Sequence, residues 1–242
     1  MKNTQILVSL ILILAVCFSA TAAQTENTTN TPNQKSNYRL AFGFDFPVLV
    51  GNSEFSDFMS EHFDMKTPNA LYGVKILTGF HFTESKRWFW ELEATFRGSN
   101  REKNNINRDW TQIQTSLKFA YAIIDNEIFR MSPFVGFTYG SHQLKYSDMR
   151  SIGNVNSITQ VFETDFKSFD LAQWYVGSEF GLIFDFDLDP PSNRRRRTPS
   201  FSAFIKWEQP FHNSKWQLGK FEMRDVPKFQ GSALVMGFTL GI

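Results

Sequence analysis

Between Tyr38 and Val50 the chain alternates. The even positions are Tyr38, Leu40, Phe42, Phe44, Phe46, Val48 and Val50; the odd ones are Arg39, Ala41, Gly43, Asp45, Pro47 and Leu49. Successive side chains of a strand point to opposite faces, so this segment suits a surface between two different solvents. The same period of two recurs in seven later segments, and the spacing predicts strands at about 38–50, 70–82, 88–97, 110–123, 131–144, 172–186, 201–209 and 232–242. The intervals between them alternate: residues 51–69, 98–109 and 145–171 are long, 83–87 and 124–130 are short. Short turns at one rim and long loops at the other describe a transmembrane β-barrel whose two ends lie on the short-turn, periplasmic side. Residues 187–200 depart from the rule by being longer than the other turns on that side.

Alternation alone does not separate a membrane barrel from a soluble eight-stranded barrel, which is the same object turned inside out. The polar face separates them. One face carries runs such as Tyr72, Val74, Ile76, Phe80, Phe82, or Trp174, Val176, Phe180, Leu182, Phe184, Phe186, with no charge among them. The opposite face mixes Gly, Ala, Ser, Thr and Gln with sparse charges, as in Gly73, Lys75, Leu77, Gly79, His81 or Gln112, Gln114, Ser116, Lys118, Ala120. Water-facing surfaces favour long charged residues, whereas a narrow interior needs small ones. Every charge within the expected strands falls on this second face: Arg39, Asp45, Lys75, Glu91, Glu93, Arg97, Lys118, Glu179, Asp185, Lys206 and Glu208. A charge facing lipid at mid-depth costs about 2–4 kcal/mol, which accounts for the segregation. Phe82, Trp88, Tyr121, Phe186 and Phe201 gather near the short turns, and Tyr139, Trp174 and Trp207 towards the other rim, as two interfacial aromatic girdles would be placed. The competing reading of the aromatics is the core of a two-sheet sandwich.

The first residues carry Lys2, an apolar run from Ile6 to Phe18 and the small-residue stretch Ala20-Thr21-Ala22-Ala23. That is the form of a secretory signal peptide over residues 1–23, the apolar run being shorter than the roughly 20 residues of a membrane-spanning helix. Residues 24–37, rich in Asn, Thr and Gln, are expected to be a disordered tether, which leaves 38–242 for the barrel. The single cysteine, Cys17, lies in the leader, so the mature chain is expected to have neither a disulfide nor a thiolate metal site. With a formal charge of +1, of which Lys2 is removed with the leader, no global field recruits nucleic acid.

The segments Gly-Val-Lys-Ile-Leu-Thr-Gly-Phe-His-Phe (73–82), Trp-Glu-Leu-Glu-Ala-Thr-Phe (90–96), Pro-Phe-Val-Gly-Phe-Thr-Tyr-Gly (133–140), Val-Gly-Ser-Glu-Phe-Gly-Leu-Ile-Phe (176–184) and Leu-Val-Met-Gly-Phe-Thr-Leu-Gly-Ile (234–242) follow one layout. On them the chain resembles the small porin-like outer-membrane β-barrel domain family from about Tyr38 to Ile242. The resemblance implies an all-β, eight-stranded antiparallel transmembrane barrel in the cell outer membrane. Its implied partners are outer-membrane lipid and the barrel-assembly machinery during biogenesis. The family usually closes on a terminal aromatic that this machinery reads; here the last residue is Ile242.

An eight-stranded barrel is just wide enough to be filled by side chains, so the nearly balanced lumen charges are expected to form a hydrogen-bonded ionic plug. A narrow porin-like channel for small solutes is the alternative. Glu91 and Glu93 share a face and form the minimum of an acid/base pair, but with bases across the lumen they read more simply as ion-paired. His212-Asn213-Ser214 resembles the His-x-Ser dyad of outer-membrane lipid A deacylases, which makes a lipid A-modifying acyl hydrolase the third reading. Against it, Lys215 stands where that family has Asn, and continuing the strand's parity turns His212 and Ser214 into the lumen. His62, His81 and His142 have no metal-like spacing and read as hydrogen-bonding residues. Arg194–Arg197 form a basic turn beside the membrane, and Phe55, Phe58, Met59, Phe63 and Phe166 are apolar residues in long loops, suited to capping the mouth or meeting a surface partner. The expectation is a non-enzymatic barrel without cofactor, with a structural or surface-interaction role.

Overall fold

The computed structural model describes residues 38–51, 53–63, 67–81, 87–103, 106–126, 128–148, 167–187, 200–223 and 226–241. The expected leader and tether, Phe82, Phe166, Arg194–Arg197 and Ile242 lie outside the described residues, as do the side chains of Arg39, His62, Phe63 and His81.

Eight long strands form the wall: β1 (Tyr38–Val50), β2 (Tyr72–His81), β3 (Trp88–Lys103), β4 (Ile106–Tyr121), β5 (Phe129–Asp148), β6 (Lys167–Asp187), β7 (Ser200–Asn213) and β8 (Ser232–Gly241). Each pairs antiparallel with its neighbours in the chain, and β8 returns to β1 from Ala41↔Gly241 to Val50↔Ser232, so the barrel is closed. Closure removes the free edges that an open sheet would present in lipid, where no water can satisfy backbone groups.

The two faces take the directions that the segregation of charge requires. On β5, Val135 and Phe137 are 62% and 65% exposed, whereas Gly136 and Thr138 between them are buried. Phe42, Phe44, Phe46 and Val48 on β1, Val74 on β2, Phe180 on β6, Ile205 on β7 and Met236 on β8 continue the exposed apolar band. Lys75, Glu93, Arg97, Lys118, Glu179 and Lys206 are buried inside. A soluble barrel would have these directions reversed.

Five strands run further than the alternation indicates, β3 to β6 and β7, which reaches Asn213. The hairpin β3–β4 continues through Asn100↔Asp109, Arg101↔Arg108 and Glu102↔Asn107, where a loop over 98–109 was expected. Likewise β5 and β6 stay paired out to Asp148↔Lys167. Beyond the lipid the outer face meets water and the apolar residues, such as Trp110, Leu144 and Tyr146, lie on the inner face, so the lipid-facing pattern ends while the hydrogen-bond ladder goes on. The result is a wall of four strands, β3 to β6, standing above the rest of the rim. The expected loop 51–69 holds a helix, α1 (Ser53–Phe63). A two-residue ladder, Gln217–Leu218 with Phe221–Glu222, turns at Gly219 (φ 63°) and pairs with Leu171–Ala172 of β6. No helix among the described residues is long and apolar enough to cross a membrane.

Candidate functional site

The lumen is filled in three storeys. Nearest the short turns, Phe89, Ala120 and Phe134 are cross-strand neighbours on β3, β4 and β5, and they pack with Ile183 and Phe204 into an apolar layer that continues up the wall of β8 through Val235 and Ala233, the neighbours of Lys206 and Glu208. The next storey begins on this one: Lys75 Nζ lies 3.3 Å from the centroid of the Phe204 ring, a cation–π contact sheltered from water.

The middle storey is ionic and has two centres. Arg97 donates from Nη2 to Asp45 Oδ2 at 2.7 Å and from Nη1 to Glu208 Oε2 at 2.7 Å, with Nε also on Asp45. Lys206 Nζ donates to Glu93 Oε1 at 2.9 Å and Glu179 Oε2 at 2.7 Å, and lies 3.0 Å from Glu208 Oε1, which links the two centres. Lys75 and Lys118 both donate to Glu93 Oε2. Four carboxylates, Asp45, Glu93, Glu179 and Glu208, thus face four bases, Lys75, Arg97, Lys118 and Lys206, with no charge left over in this set. Glycines make the room. A Cβ on Gly73 would meet Asp45 Oδ1 and come within 2.6 Å of Arg97 Cγ, and one on Gly136 would lie 3.0 Å from Glu179 Oε1.

Aromatic rings close the top. Phe55 and Met59 of α1 are fully buried, four residues apart on one helical face, and Phe55 stacks on Trp216 at 5.1 Å. Leu71, Ile106, Trp110, Leu144, Tyr146, Leu171 and Phe229 complete the cluster. His142 stacks on Tyr175 at 4.7 Å, and the Tyr175 hydroxyl donates to Gln114 Oε1 while accepting from Gln112 Nε2, which couples the cap to the ionic storey. Between them a cavity of about 10 Å³ lined by Gln112, His142, Tyr175 and Glu208 has room for about one water.

Glu91 is also buried, one step nearer the short turns, and Asp185 accepts a hydrogen bond from Ser202 Oγ apart from the central network. Of the aromatic residues, Trp88 and Tyr121 pair at 4.7 Å and Phe186 and Phe201 at 6.2 Å near one rim, and Tyr139 stacks on Trp174 at 5.6 Å near the other. Trp207 turns its indole N–H to Gln209 Oε1.

The parity expected for His212 and Ser214 is corrected by a bulge. Gly177 pairs with Pro210 and Val176 with His212, so Phe211 is the extra residue. A bulge shifts every later side chain to the other face. His212 is therefore exposed on the outer side with Val176, and Asn213 is buried instead. The Ser214 hydroxyl is held by backbone: it accepts from Trp174 N–H at 2.9 Å and donates to the Lys215 carbonyl at 3.0 Å. Sequence reasoning also missed Trp216 and Phe229 of the cap; their signal was only that so apolar a pair stood in a long loop. For α1 a signal was present, since Phe55, Phe58 and Met59 recur at helical spacing.

No protein-family model matches the chain, and no curated sequence matches it. Among solved structures, a major outer membrane protein from Thermus thermophilus superposes with a TM-score of 0.51 at 10% identity, covering 85% of this chain and 99% of that one. Neisserial surface protein A (TM-score 0.43, 8% identity, 87% and 99% covered) and Ail, the attachment invasion locus protein of Yersinia pestis (0.39, 10% identity, 85% and 97% covered), are more distant in shape. With a closed ring of eight antiparallel strands, an apolar outer band and this superposition, the protein has the fold of the porin-like outer-membrane β-barrels.

Proposed function

We propose that the protein is an integral outer-membrane barrel with a closed, non-conducting lumen, whose role is structural or surface-interacting rather than catalytic. The observation that carries this reading is the ion network of four carboxylates and four bases, sandwiched between an apolar floor and an aromatic cap. A conducting pore needs a continuous hydrated path, and rings packed at both ends of a desolvated network oppose one. The exposed apolar band supports outer-membrane lipid as the first partner, and a closed barrel of this kind would meet the barrel-assembly machinery during biogenesis. The start of β1 and the end of β8 share the rim of the short turns, which supports periplasmic termini; on this reading α1 and the projecting wall lie outside the cell. Planar-bilayer recording of the purified protein tests the closed lumen: the expected trace is silent, and stable unitary openings would replace this reading by the narrow-channel alternative.

The bulge at Phe211 favours keeping the acyl-hydrolase reading in view, because it turns His212 towards lipid. Opposing it, the proton that an activated serine must give to a base is donated by Ser214 to the Lys215 carbonyl. His212→Ala is expected to leave lipid A acylation unchanged by mass spectrometry; a change would restore the dyad.

A further inference from the structure

The two halves of the aromatic cap are held in different ways. Trp216 and Phe229, from the chain between β7 and β8, are tied by hydrogen bonds: Trp216 Nε1 donates to the Pro227 carbonyl at 2.9 Å, and the Phe229 N–H donates to Gln173 Oε1 on β6 at 3.2 Å. By contrast, α1 docks through the apolar side chains of one face, Phe55 and Met59 fully buried and Phe58 half-buried, while Glu54, Asp57, Ser60 and Glu61 stand exposed. The Phe55 ring sits in a box of three rings from other segments, stacked on Trp216 at 5.1 Å and edge-on to Trp110 and Phe229, both at 5.8 Å. It occupies that box as a ligand would.

Both ends of the excursion that carries α1 leave the barrel at one point. The Leu49 N–H donates to the Asn69 carbonyl at 2.9 Å and Val48 bridges Ala70, so the ladder of β1 is clasped shut at the base of the excursion. Beside the clasp, Gly51 is exposed and holds φ at 76°, in the left-handed region that favours glycine, with open space where a Cβ would stand. A segment clasped at its base can swing out without breaking the ladder of the wall. With 11 residues, α1 is also shorter than the roughly 12–15 that an isolated helix needs in water, so docking is what keeps it formed.

We propose that α1 is a hinged lid, which opens as one unit on an intact barrel and uncovers the box of Trp110, Trp216 and Phe229 at the outer mouth. Segments held by few buried side chains open locally at a free energy well below that of global unfolding. Beneath the box the lumen stays shut, first by the ions around Arg97 and Lys206 and then by the floor of Phe89, Phe134 and Phe204. The open form is therefore a blind crypt and carries no current, which separates lid movement from the channel alternative. The inference rests on the outer-membrane placement proposed above for the side to which the crypt opens.

Thiol labelling tests the lid on the full chain carrying Cys17→Ser, reconstituted in lipid vesicles. Met59→Cys and Val235→Cys each put a thiol where the native side chain is fully buried, one under α1 and one on the inner face of β8, and Glu61→Cys is the exposed reference. A water-soluble maleimide added to the folded barrel is expected to react at Met59→Cys about 100- to 10,000-fold more slowly than at Glu61→Cys, and not at Val235→Cys on that timescale. Hydrogen exchange of the barrel without these substitutions reads the same motion: the amides of α1 are expected to exchange at least about 100-fold faster than those of β4 and β5. Met59→Cys as unreactive as Val235→Cys, or α1 amides that exchange only together with those of β4 and β5, overturns the lid. Heat-modifiable gel mobility measured on the same samples separates this failure from a failure of the barrel reading itself.

Discussion

Glu93 is the residue on which most of the ionic storey converges, and Glu93→Gln removes its charge while keeping its shape. Its Oε2 accepts from Lys75 and Lys118, and its Oε1 from Lys206 and from Thr95 Oγ1 at 3.1 Å. The substitution leaves four buried bases facing three carboxylates. Removing one partner of a buried ion pair costs about 3–5 kcal/mol, mostly from the uncompensated charge left behind. With a urea slope of about 2 kcal/mol/M, the unfolding midpoint falls by about 2 M. Tryptophan fluorescence of the barrel in lipid vesicles, followed through a urea series, reads that shift. Lys75→Met on the same chain restores the balance to three against three, and since Lys75 has Glu93 as its carboxylate partner here, the pair recovers about 1–3 kcal/mol. If the lumen were water-filled, the same ions would behave as surface pairs worth about 0–1 kcal/mol. A midpoint displaced by less than about 0.5 M would therefore refute the sealed interior.

Three further outcomes follow from the packing. Gly73→Ala places a methyl against Asp45 and Arg97 and is expected to destabilise by about 1–3 kcal/mol, while Gly98→Ala, whose nearest contact is 3.6 Å away, is nearly neutral; urea midpoints compare the two. Val135→Arg, on the exposed apolar band of β5, is expected to cost about 2–4 kcal/mol in bilayers by the same measurement. Phe55→Ala removes the ring stacked on Trp216 and is expected to loosen the cap by about 3–5 kcal/mol, read as faster proteolysis around α1 with the barrel band intact on gels.

How much of this was legible in the chain depends on whether two solvents met at each segment. Between the girdles, lipid on one side and a narrow lumen on the other impose opposite demands, so the alternation from Phe42 to Val48 or Val135 to Tyr139 reports strand, face and register together. Above the girdle the outer solvent is water, so the lipid-facing half of the pattern is lost. Asn100, Arg101 and Glu102 are as polar as any loop, and their pairing with β4 left no mark on the side chains. Parity placed Phe89, Trp110, Phe134, Tyr175 and Phe204 on the inner face, but strand order alone does not say that they sort into a floor and a cap around the ions. The bulge at Phe211 had one mark in the chain, Pro210, because a proline within a strand is confined to edges and bulges, but the mark does not say which later residue turns outward, so the reversal of His212 was not readable. Charge pairing was partly readable: equal numbers of acids and bases on inward positions implied a network, while the convergence of three lysines on Glu93 needed the strand register to bring β2, β4 and β7 to one level.

The most direct measurement of the account is the direction in which adjacent residues of one strand face. With the only cysteine of the sequence, Cys17, replaced by serine, single cysteines at Phe137 and Thr138 can each carry a nitroxide in the barrel reconstituted in lipid vesicles. Power-saturation spectra should show the label at 137 colliding with oxygen dissolved in the bilayer and protected from a water-soluble nickel complex, with the label at 138 shielded from both. A label at 137 relaxed by nickel, with the one at 138 open to oxygen, would contradict the orientation on which every interior contact described above depends.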